Sequence, residues 1–219
     1  MATVRLLEHC GIRFSLMKEP ACCGQPLINM GAAKDADCLV RRFAEVGKDH
    51  EAIICPSGSC VTSLRHSHRG TELSARVFEL SEYLLRVGAA PRPSAFAHRV
   101  MLHPSCHGLR ELGLGAPSEH PTERRGDTVA GLLARVPELT LLRPLRDECC
   151  GFGGTFAVTE AAVSVRMGQD RLKEYVAAGA DVVTATDVSC LMHLEGVAQA
   201  QGLPLRFLHF AEILAQGAA

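Results

Sequence analysis

Residues 149–154 read Cys-Cys-Gly-Phe-Gly-Gly, and a lone cysteine, Cys190, follows well downstream of the pair. The same arrangement occurs earlier in the chain, where residues 22–24 read Cys-Cys-Gly and the lone Cys60 follows at a similar distance. Two copies of an adjacent cysteine pair, each with a glycine and a distant third cysteine at similar spacing, indicate an internal duplication.

The offset between the two copies is nearly constant. The step from Cys22 to Cys149 is almost the same as the step from Cys60 to Cys190. Short apolar strands alternate with helices throughout both copies. This pattern predicts an α/β fold with two pseudo-symmetric halves, each a mostly parallel sheet flanked by helices.

The duplication divides the chain into three parts. Residues 1–88 are predicted to form the first repeat and residues 100–219 the second. Residues 89–99 contain two prolines, Pro91 and Pro93, so we interpret them as a connector between the repeats.

The second repeat opens with a segment that has no counterpart in the first. Residues 100–103 are predicted to form a strand that leads to Cys106, whereas the first repeat begins directly with a helix over residues 2–10. The matching strand and cysteine would precede Met1, so we expect that an N-terminal segment is missing or that the start was misassigned. Residues 12–17 are predicted to form a strand before the first cysteine pair.

The composition excludes several classes of function. The 219 residues carry a formal net charge of −1, which gives no basic face for nucleic acid. No apolar run reaches the ~20 residues of a transmembrane helix, and the N-terminus lacks the apolar stretch of a signal peptide. We therefore predict a cytoplasmic protein, and there a content of ten cysteines points to metal ligands or redox groups rather than to structural disulfides.

Four cysteines of the second half are each predicted to lie at a junction between a strand, a loop and a helix. They are Cys106, Cys149, Cys150 and Cys190. Four thiolates hold a [4Fe–4S] or [2Fe–2S] cluster or a structural zinc ion. Adjacent cysteines project in different directions, which favours a cluster with several iron corners over a single zinc ion.

The first half offers an incomplete version of this set, with Cys22, Cys23 and Cys60. Glycines beside both pairs let the backbone approach a cluster and direct N–H groups at its sulfurs; they are Gly24, Gly151, Gly153 and Gly154.

The remaining cysteines, Cys10, Cys38 and Cys55, have no counterpart in the other repeat and are expected to be structural. His103, His107 and His193 neighbour the second cysteine set, either as hydrogen-bond donors or proton carriers or in a purely structural role.

Several short motifs together resemble a known family. They are Cys-Cys-Gly-Gln-Pro at 22–26, Pro-Ser-Gly-Ser-Cys at 56–60, His-Pro-Ser-Cys-His at 103–107 and Cys-Cys-Gly-Phe-Gly-Gly-Thr-Phe at 149–156. On these motifs the chain resembles the cysteine-rich CCG domain family, and within it the lactate-utilization protein A group. The resemblance extends over essentially the whole chain.

The resemblance implies an iron–sulfur subunit of a three-protein system that oxidises L-lactate to pyruvate. It also implies partner subunits, including a ferredoxin-like iron–sulfur protein, so this chain would be one part of an oxidoreductase rather than a complete enzyme. The ligands carried over from the family are the seven cysteines of the two sets. The family motif ends in Cys-x-x-Cys, but its first position is Ser57 or Asp187 here, so a four-cysteine site is expected rather than a five-cysteine noncubane cluster.

Three alternatives remain open at this point. The chain could belong to a related 2-hydroxy-acid system such as glycolate oxidase, or to a heterodisulfide-reductase-like system. It could instead be an assembly module stabilised by zinc, without a redox role. A thiol–disulfide enzyme that uses the adjacent pair is the least favoured, because a disulfide between neighbouring cysteines is strained.

Overall fold

A computed structural model describes residues 1–17, 22–120 and 126–216 of the chain. Its strands form two parallel sheets, with bounds β1 (Ile53–Cys55), β2 (Val77–Glu79), β3 (Arg99–Leu102), β4 (Thr140–Leu142), β5 (Val182–Ala185) and β6 (Arg206–His209). Strands β1 and β2 form the sheet of the first half, and the second half has the order β4-β3-β5-β6. The predicted α/β class with a parallel sheet in each half is confirmed.

Helices cover both sheets. Those of the first half are α1 (Ala2–His9), α2 (Gln25–Asn29), α3 (Ala33–Gly47), α4 (Gly58–Ser67), α5 (Glu72–Arg76) and α6 (Leu80–Arg86). Those of the second half are a π-helix (His107–Glu111), α7 (Thr128–Leu133), α8 (Phe156–Thr159), α9 (Ala161–Ala177), α10 (Val188–Ala200) and α11 (Phe210–Leu214). None of the described helices combines the length and the apolarity needed to cross a membrane.

The two repeats have the same strand register. Cys55 pairs with Glu79 in the first sheet, and Ala185 pairs with His209 in the second. Both members of each pair are separated from their equivalents by the same interval that separates Cys60 from Cys190 in the sequence. The internal duplication is therefore present in the backbone pairing as well as in the cysteine spacing.

The helix that follows each final strand begins with the same capping device. Glu79 caps α6 in a reciprocal arrangement with Glu82, and His209 caps α11 in the same arrangement with Glu212. In each case the third helical residue returns a carboxylate to the backbone N–H of the capping residue, which satisfies donors that a helix start leaves unpaired.

The prediction of a strand at residues 12–17 is wrong. These residues form no strand, although they occupy the place that β4 holds in the second repeat. Strand β4 pairs only with β3, and the described residues of the first half include no counterpart of β3. Without a neighbouring strand no hydrogen-bonded ladder forms, and Ile12 and Phe14 pack against the hydrophobic core instead.

One hydrophobic core is shared by the two halves. Leu6 and Leu84 of the first half belong to the same buried cluster as Val100, Leu132 and Phe210 of the second. Because a buried side chain of this size stabilises a fold by about 2 kcal/mol, each half depends on the other for a substantial part of its stability. The paired cysteines lie outside this shared core, and Cys23 and Cys150 belong to two separate buried clusters.

Candidate metal centre

The four cysteines of the second half lie just beyond the carboxyl ends of parallel strands. Cys106 follows β3, Cys149 and Cys150 follow β4, and Cys190 lies in the first turn of α10 after β5. Because parallel strands end at the same edge of their sheet, the loops that follow them converge. The fold thus brings together residues that are far apart in the sequence.

The four thiols contact one another in a continuous series. Cys106 is hydrogen-bonded to Cys149, Cys149 to Cys150, and Cys150 to Cys190. Cys150 is buried, and the other three are partly buried. The structure therefore gathers the whole set that the sequence predicts for the second site.

These contacts separate the pKa values of neighbouring thiols. Hydrogen bonds from Cys106 and Cys150 lower the pKa of Cys149, and a hydrogen bond from Cys150 outweighs burial and lowers the pKa of Cys190. The pKa values of Cys106 and Cys150 are raised, because each donates to a neighbouring sulfur and is desolvated. Thiols with a lowered pKa thus alternate with thiols with a raised pKa, and a lowered pKa favours metal binding because the thiolate is the ligating form.

The glycines after the second pair shape the backbone around the sulfurs. Gly151, Gly153 and Gly154 have φ values of +98°, +53° and +66°, which favour glycine. This path directs the Gly151 N–H toward the sulfur of Cys149 and the Phe152 N–H toward the sulfur of Cys150, each at 3.4 Å. Backbone donors to thiolates of this kind stabilise negative charge and tune the potential of a bound cluster.

The first site is less complete. Cys23 is buried and hydrogen-bonded to Cys60, whereas Cys22 is exposed. Gly24 has a φ of +78° and forms the N-cap of α2, so it turns the chain after the pair. Cys55 pairs with Glu79 within the sheet and Cys38 is exposed on α3.

The position where the family motif has a cysteine joins the two halves. Oδ1 of Asp187 accepts hydrogen bonds from the hydroxyls of Ser57 and Ser59 at 2.8 and 2.7 Å and from the Ser59 N–H at 3.0 Å. These bonds lower the pKa of the Asp187 carboxyl, although burial alone, the largest single influence, would raise it. The sequence identified Ser57 and Asp187 only as departures from the motif and gave no sign that they contact each other.

A second link lies between the two sites. The side-chain nitrogen of Gln25, beside the first cysteine pair, is 3.2 Å from Nε2 of His107, which follows Cys106. Gly58 at the start of α4 faces the π-helix closely, because a Cβ there would lie 3.2 Å from the Cα of Gly108. The π-helix therefore starts at one cysteine site and packs beside the other, and such helices are frequent at functional sites.

His103 joins the second site. Among the described residues, one group of three has potential metal-ligand atoms all within 4.8 Å of one another, namely His103, Cys150 and Cys190. His103 lies at the end of β3, three residues before Cys106, and is 1% exposed. The sequence singled it out as a neighbour of the site and not as a member. Its place directly after an apolar strand was the available signal.

The chain matches a family of cysteine-rich domains, described as CCG, over residues 1–65 and 100–195. The chain belongs to the cysteine-rich CCG domain family. It is 35% identical over 233 residues to lactate utilization protein A of Exiguobacterium, a match that covers 99% of this chain and 90% of that protein. It is also 30% identical over 230 residues to lactate utilization protein A 2 of Bacillus cereus, with the same coverage of both proteins. The family membership expected from the motifs is confirmed.

An open cleft lies beside the second CCG site. Its volume is about 460 Å³, and Cys106 and Cys149 form part of its wall. The remaining wall consists of Arg110, Asp147, Glu148, Met167 and Asp170. Arg110 is engaged by the carboxylate of Glu119 and the carbonyl oxygen of Asp147. The cleft exposes one side of the cysteine group while the core covers the other.

The second CCG site fits an iron–sulfur cluster. It has four convergent thiols, two of them with a lowered pKa, and backbone N–H groups that face the sulfurs. The positive-φ glycines allow this backbone path, as Gly151 has no room for a side chain beside the carbonyl oxygen of Ser164. Thiolate ligands, sulfur-directed donors and a desolvated setting are the features by which proteins hold such clusters and set their potential.

Proposed function

We propose that this chain is an iron–sulfur electron-transfer subunit of a system that oxidises L-lactate to pyruvate. The observation that carries the proposal is the contact series of Cys106, Cys149, Cys150 and Cys190 at one sheet edge. Similarity to lactate utilization protein A over 99% of the chain supports the substrate class.

In this proposal the second site holds the cluster, a [4Fe–4S] centre, through those four cysteines. A cluster of this type accepts and donates single electrons when it is bound. The chain's own residues fix its position, direct the N–H groups of Gly151 and Phe152 at the ligating sulfurs, and exclude water on the core side. The cleft beside Cys106 and Cys149 leaves one side open for electron exchange with partners.

The first site, Cys22, Cys23 and Cys60, is proposed as a weaker metal site, with Gly24 turning the backbone beside it. The buried Cys23 contacts the partly buried Cys60, and Cys22 faces solvent. We also propose that residues 1–88 and 100–219 are the two repeats, joined by 89–99. The family match over residues 1–65 and 100–195 supports this division.

The partners proposed are the other subunits of a lactate-oxidising complex, including a ferredoxin-like iron–sulfur protein, in the cytoplasm. The chain would receive electrons from L-lactate only with these subunits present. Neighbouring genes that encode such proteins would identify the complex to reconstitute.

A test of metal binding is anaerobic reconstitution of the full chain with iron and sulfide, followed by EPR spectroscopy of the reduced protein. We expect iron and acid-labile sulfide in the ratio of a cluster. Cys149→Ser should lose most of this iron, whereas Cys38→Ser, which changes an exposed cysteine on α3, should retain it. A wild-type protein without iron, or a Cys149→Ser protein with the wild-type amount, would refute the proposal.

Zinc is the second candidate, and one observation favours it. His103, Cys150 and Cys190 offer three ligand atoms within 4.8 Å of one another, and His nitrogen and Cys sulfur are the ligands that structural zinc ions use. The function would then be to stabilise an assembly module. Metal analysis of protein purified without oxygen separates the two candidates, because a zinc protein has one zinc per site and no visible absorption.

A further inference from the structure

His103 has one ring nitrogen that is engaged and one that is not. Its Nδ1 lies 2.7 Å from the hydroxyl oxygen of Tyr175. Its Nε2 is buried and makes no hydrogen bond of normal geometry among the described residues, although the ring lies near enough to Cys190 to lower the pKa of that thiol. A ring nitrogen of His103 lies within 4.8 Å of the sulfurs of Cys150 and Cys190. Because Nδ1 is engaged by Tyr175, Nε2 is the nitrogen available to interact with these sulfurs.

The pair is held rigidly. His103 is 1% exposed and Tyr175 is 0% exposed, and the backbone N–H of His103 donates to the carbonyl oxygen of Thr184 at 2.8 Å. Tyr175 projects from α9 into the same buried cluster as Cys150. A buried nitrogen without a partner costs about 1 to 3 kcal/mol, so a position this fixed indicates that a partner completes it.

The hydroxyl of Tyr175 determines which nitrogen carries the proton. The described residues offer this hydroxyl one hydrogen-bond partner, Nδ1 of His103. If the ring donated to Tyr175, the phenolic proton would have no acceptor, and the Nε2 lone pair would face the sulfur lone pairs of Cys190. If Tyr175 donates to Nδ1, the phenolic proton has an acceptor. The ring proton then lies on Nε2, where it is directed at sulfur instead of a lone pair.

We propose that Tyr175 holds His103 in the Nε2–H tautomer and that this N–H donates a hydrogen bond to the sulfur of Cys190 when the second site is loaded. His103 is then a positioning residue that tunes the bound cluster, not one of its ligands. The inference rests on the proposed function, since it assigns a role toward the cluster held by the four cysteines. Hydrogen bonds to ligating sulfurs stabilise the reduced, more negative state and so raise the reduction potential.

The first test needs no metal. Long-range ¹H–¹⁵N NMR spectra of the full-length, metal-free, reduced protein report which ring nitrogen of each histidine is protonated. We expect Nε2–H for His103 in the wild type and a shift toward Nδ1–H in Tyr175→Phe. A wild-type His103 protonated at Nδ1 would overturn the inference and leave the proposed function intact.

The second test uses reconstituted protein, with iron content, midpoint potential and ¹⁵N-histidine ENDOR as readouts. We expect His103→Leu to keep its iron and shift to a lower potential, and His103→Gln, which restores an N–H donor, to recover most of the shift. His193→Leu is the matched control, since its Nε2 is 3.2 Å from the carbonyl oxygen of Ser164. It should leave the potential near the wild-type value.

The contrary outcomes are distinct. Iron loss in His103→Leu together with strong nitrogen coupling in the wild type would make His103 a ligand and overturn the inference alone. A His103→Leu protein with the wild-type reduction potential would also overturn the inference and leave the proposed function intact. A wild-type protein that takes up no iron would overturn the proposed function and the inference together.

Discussion

Oδ1 of Asp187 lies 2.8 Å from the hydroxyl oxygen of Ser57, and these two residues occupy the same position in the two repeats. Asp187 is the N-cap residue of its own helix, α10, but makes no side-chain cap there. Its carboxylate instead accepts from the Ser59 N–H at the start of α4, in the other repeat. Each repeat therefore has its cysteine-bearing helix anchored at the contact between the halves.

Replacing Asp187 by alanine should destabilise the fold by about 3 kcal/mol, because it leaves two hydroxyls and one backbone N–H without their buried acceptor. The measurement is urea unfolding near neutral pH. Asp37→Ala, an exposed substitution on α3, is the control and should change stability by less than about 0.5 kcal/mol.

The same carboxyl predicts a pH effect. Its pKa is lowered in the fold, so its contribution exists above the unfolded-state pKa near 4 and is lost as the pH falls further. The difference in the free energy of unfolding between the wild type and Asp187→Ala should therefore shrink as the pH falls from about 4 to about 2. A constant difference between the two proteins across that range would contradict the assignment.

Glu79 predicts a pH dependence of the opposite sign. Burial raises its pKa to about 7, although hydrogen bonds from Ser81 and Glu82 oppose the shift. The folded state then holds a proton that the unfolded state has released, so stability declines as the pH rises from about 4.5 to about 7. We expect Glu79→Gln, which keeps an acceptor for the helix cap, to remove a loss of about 3 kcal/mol over that range.

Urea midpoints at pH 5 and pH 8 measure this effect. Glu195→Gln changes an exposed glutamate on α10 and serves as the control. We expect its stability to depend on pH as that of the wild type does. If Glu79→Gln lost as much stability between pH 5 and pH 8 as the wild type, Glu79 would be ionised in the fold at both pH values.

The sequence predicted the parts of this protein that repeat. The spacing of the two cysteine pairs predicted the duplication, and the apolar run at residues 100–103 predicted the strand that became β3, because buried parallel strands are continuously apolar. The strand at residues 12–17 was predicted wrongly because a segment forms a strand only when an adjacent strand is present to hydrogen-bond with it. The same apolar pattern forms β4 beside β3 and forms no strand without such a neighbour.

The parts of the site that escaped prediction depend on contacts distant in sequence. The pairing of Ser57 with Asp187 joins positions that a single-repeat motif treats separately. The environment of His103 is set by Tyr175, which is distant in the sequence and lies on a helix whose residues show no chemical motif. Local pattern identifies which residues have suitable chemistry, and only the packing of strand ends shows which of them meet.

Cys60 should be the reactive thiol of the first site in metal-free protein. A hydrogen bond from Cys23 lowers its pKa to about 6, against the opposing effect of burial. Because the thiolate is the reacting form, its alkylation by iodoacetamide should rise with pH and level off near pH 7. Mass spectrometry of the modified peptide measures this profile, with exposed Cys38 as the internal comparison.

Cys23→Ala removes the donor, so the inflection for Cys60 should move to higher pH, and Ser57→Ala should move it less. An unchanged profile in Cys23→Ala would show that the two thiols do not interact in solution.

Gly151 should tolerate no side chain, in contrast to its neighbour Gly154. Both residues have positive φ, +98° and +66°, so alanine costs about 1 to 2 kcal/mol at either position through the backbone alone. At Gly151 a Cβ would also collide with the carbonyl oxygen of Ser164 and come within 2.9 Å of the Met167 Cβ, whereas at Gly154 nothing lies within 4 Å. We therefore expect Gly151→Ala to destabilise the protein by about 3 kcal/mol or more, and Gly154→Ala by about 1 kcal/mol.

The same pair of variants tests the role of the backbone donors. The Gly151 N–H faces the sulfur of Cys149, so a displaced residue 151 would move that donor and both cysteines of the pair. Gly151→Ala should lose bound iron under conditions where Gly154→Ala retains it, as measured by metal analysis after anaerobic reconstitution and gel filtration. Equal iron content in two equally folded variants would mean that the backbone at Gly151 does not hold the site together.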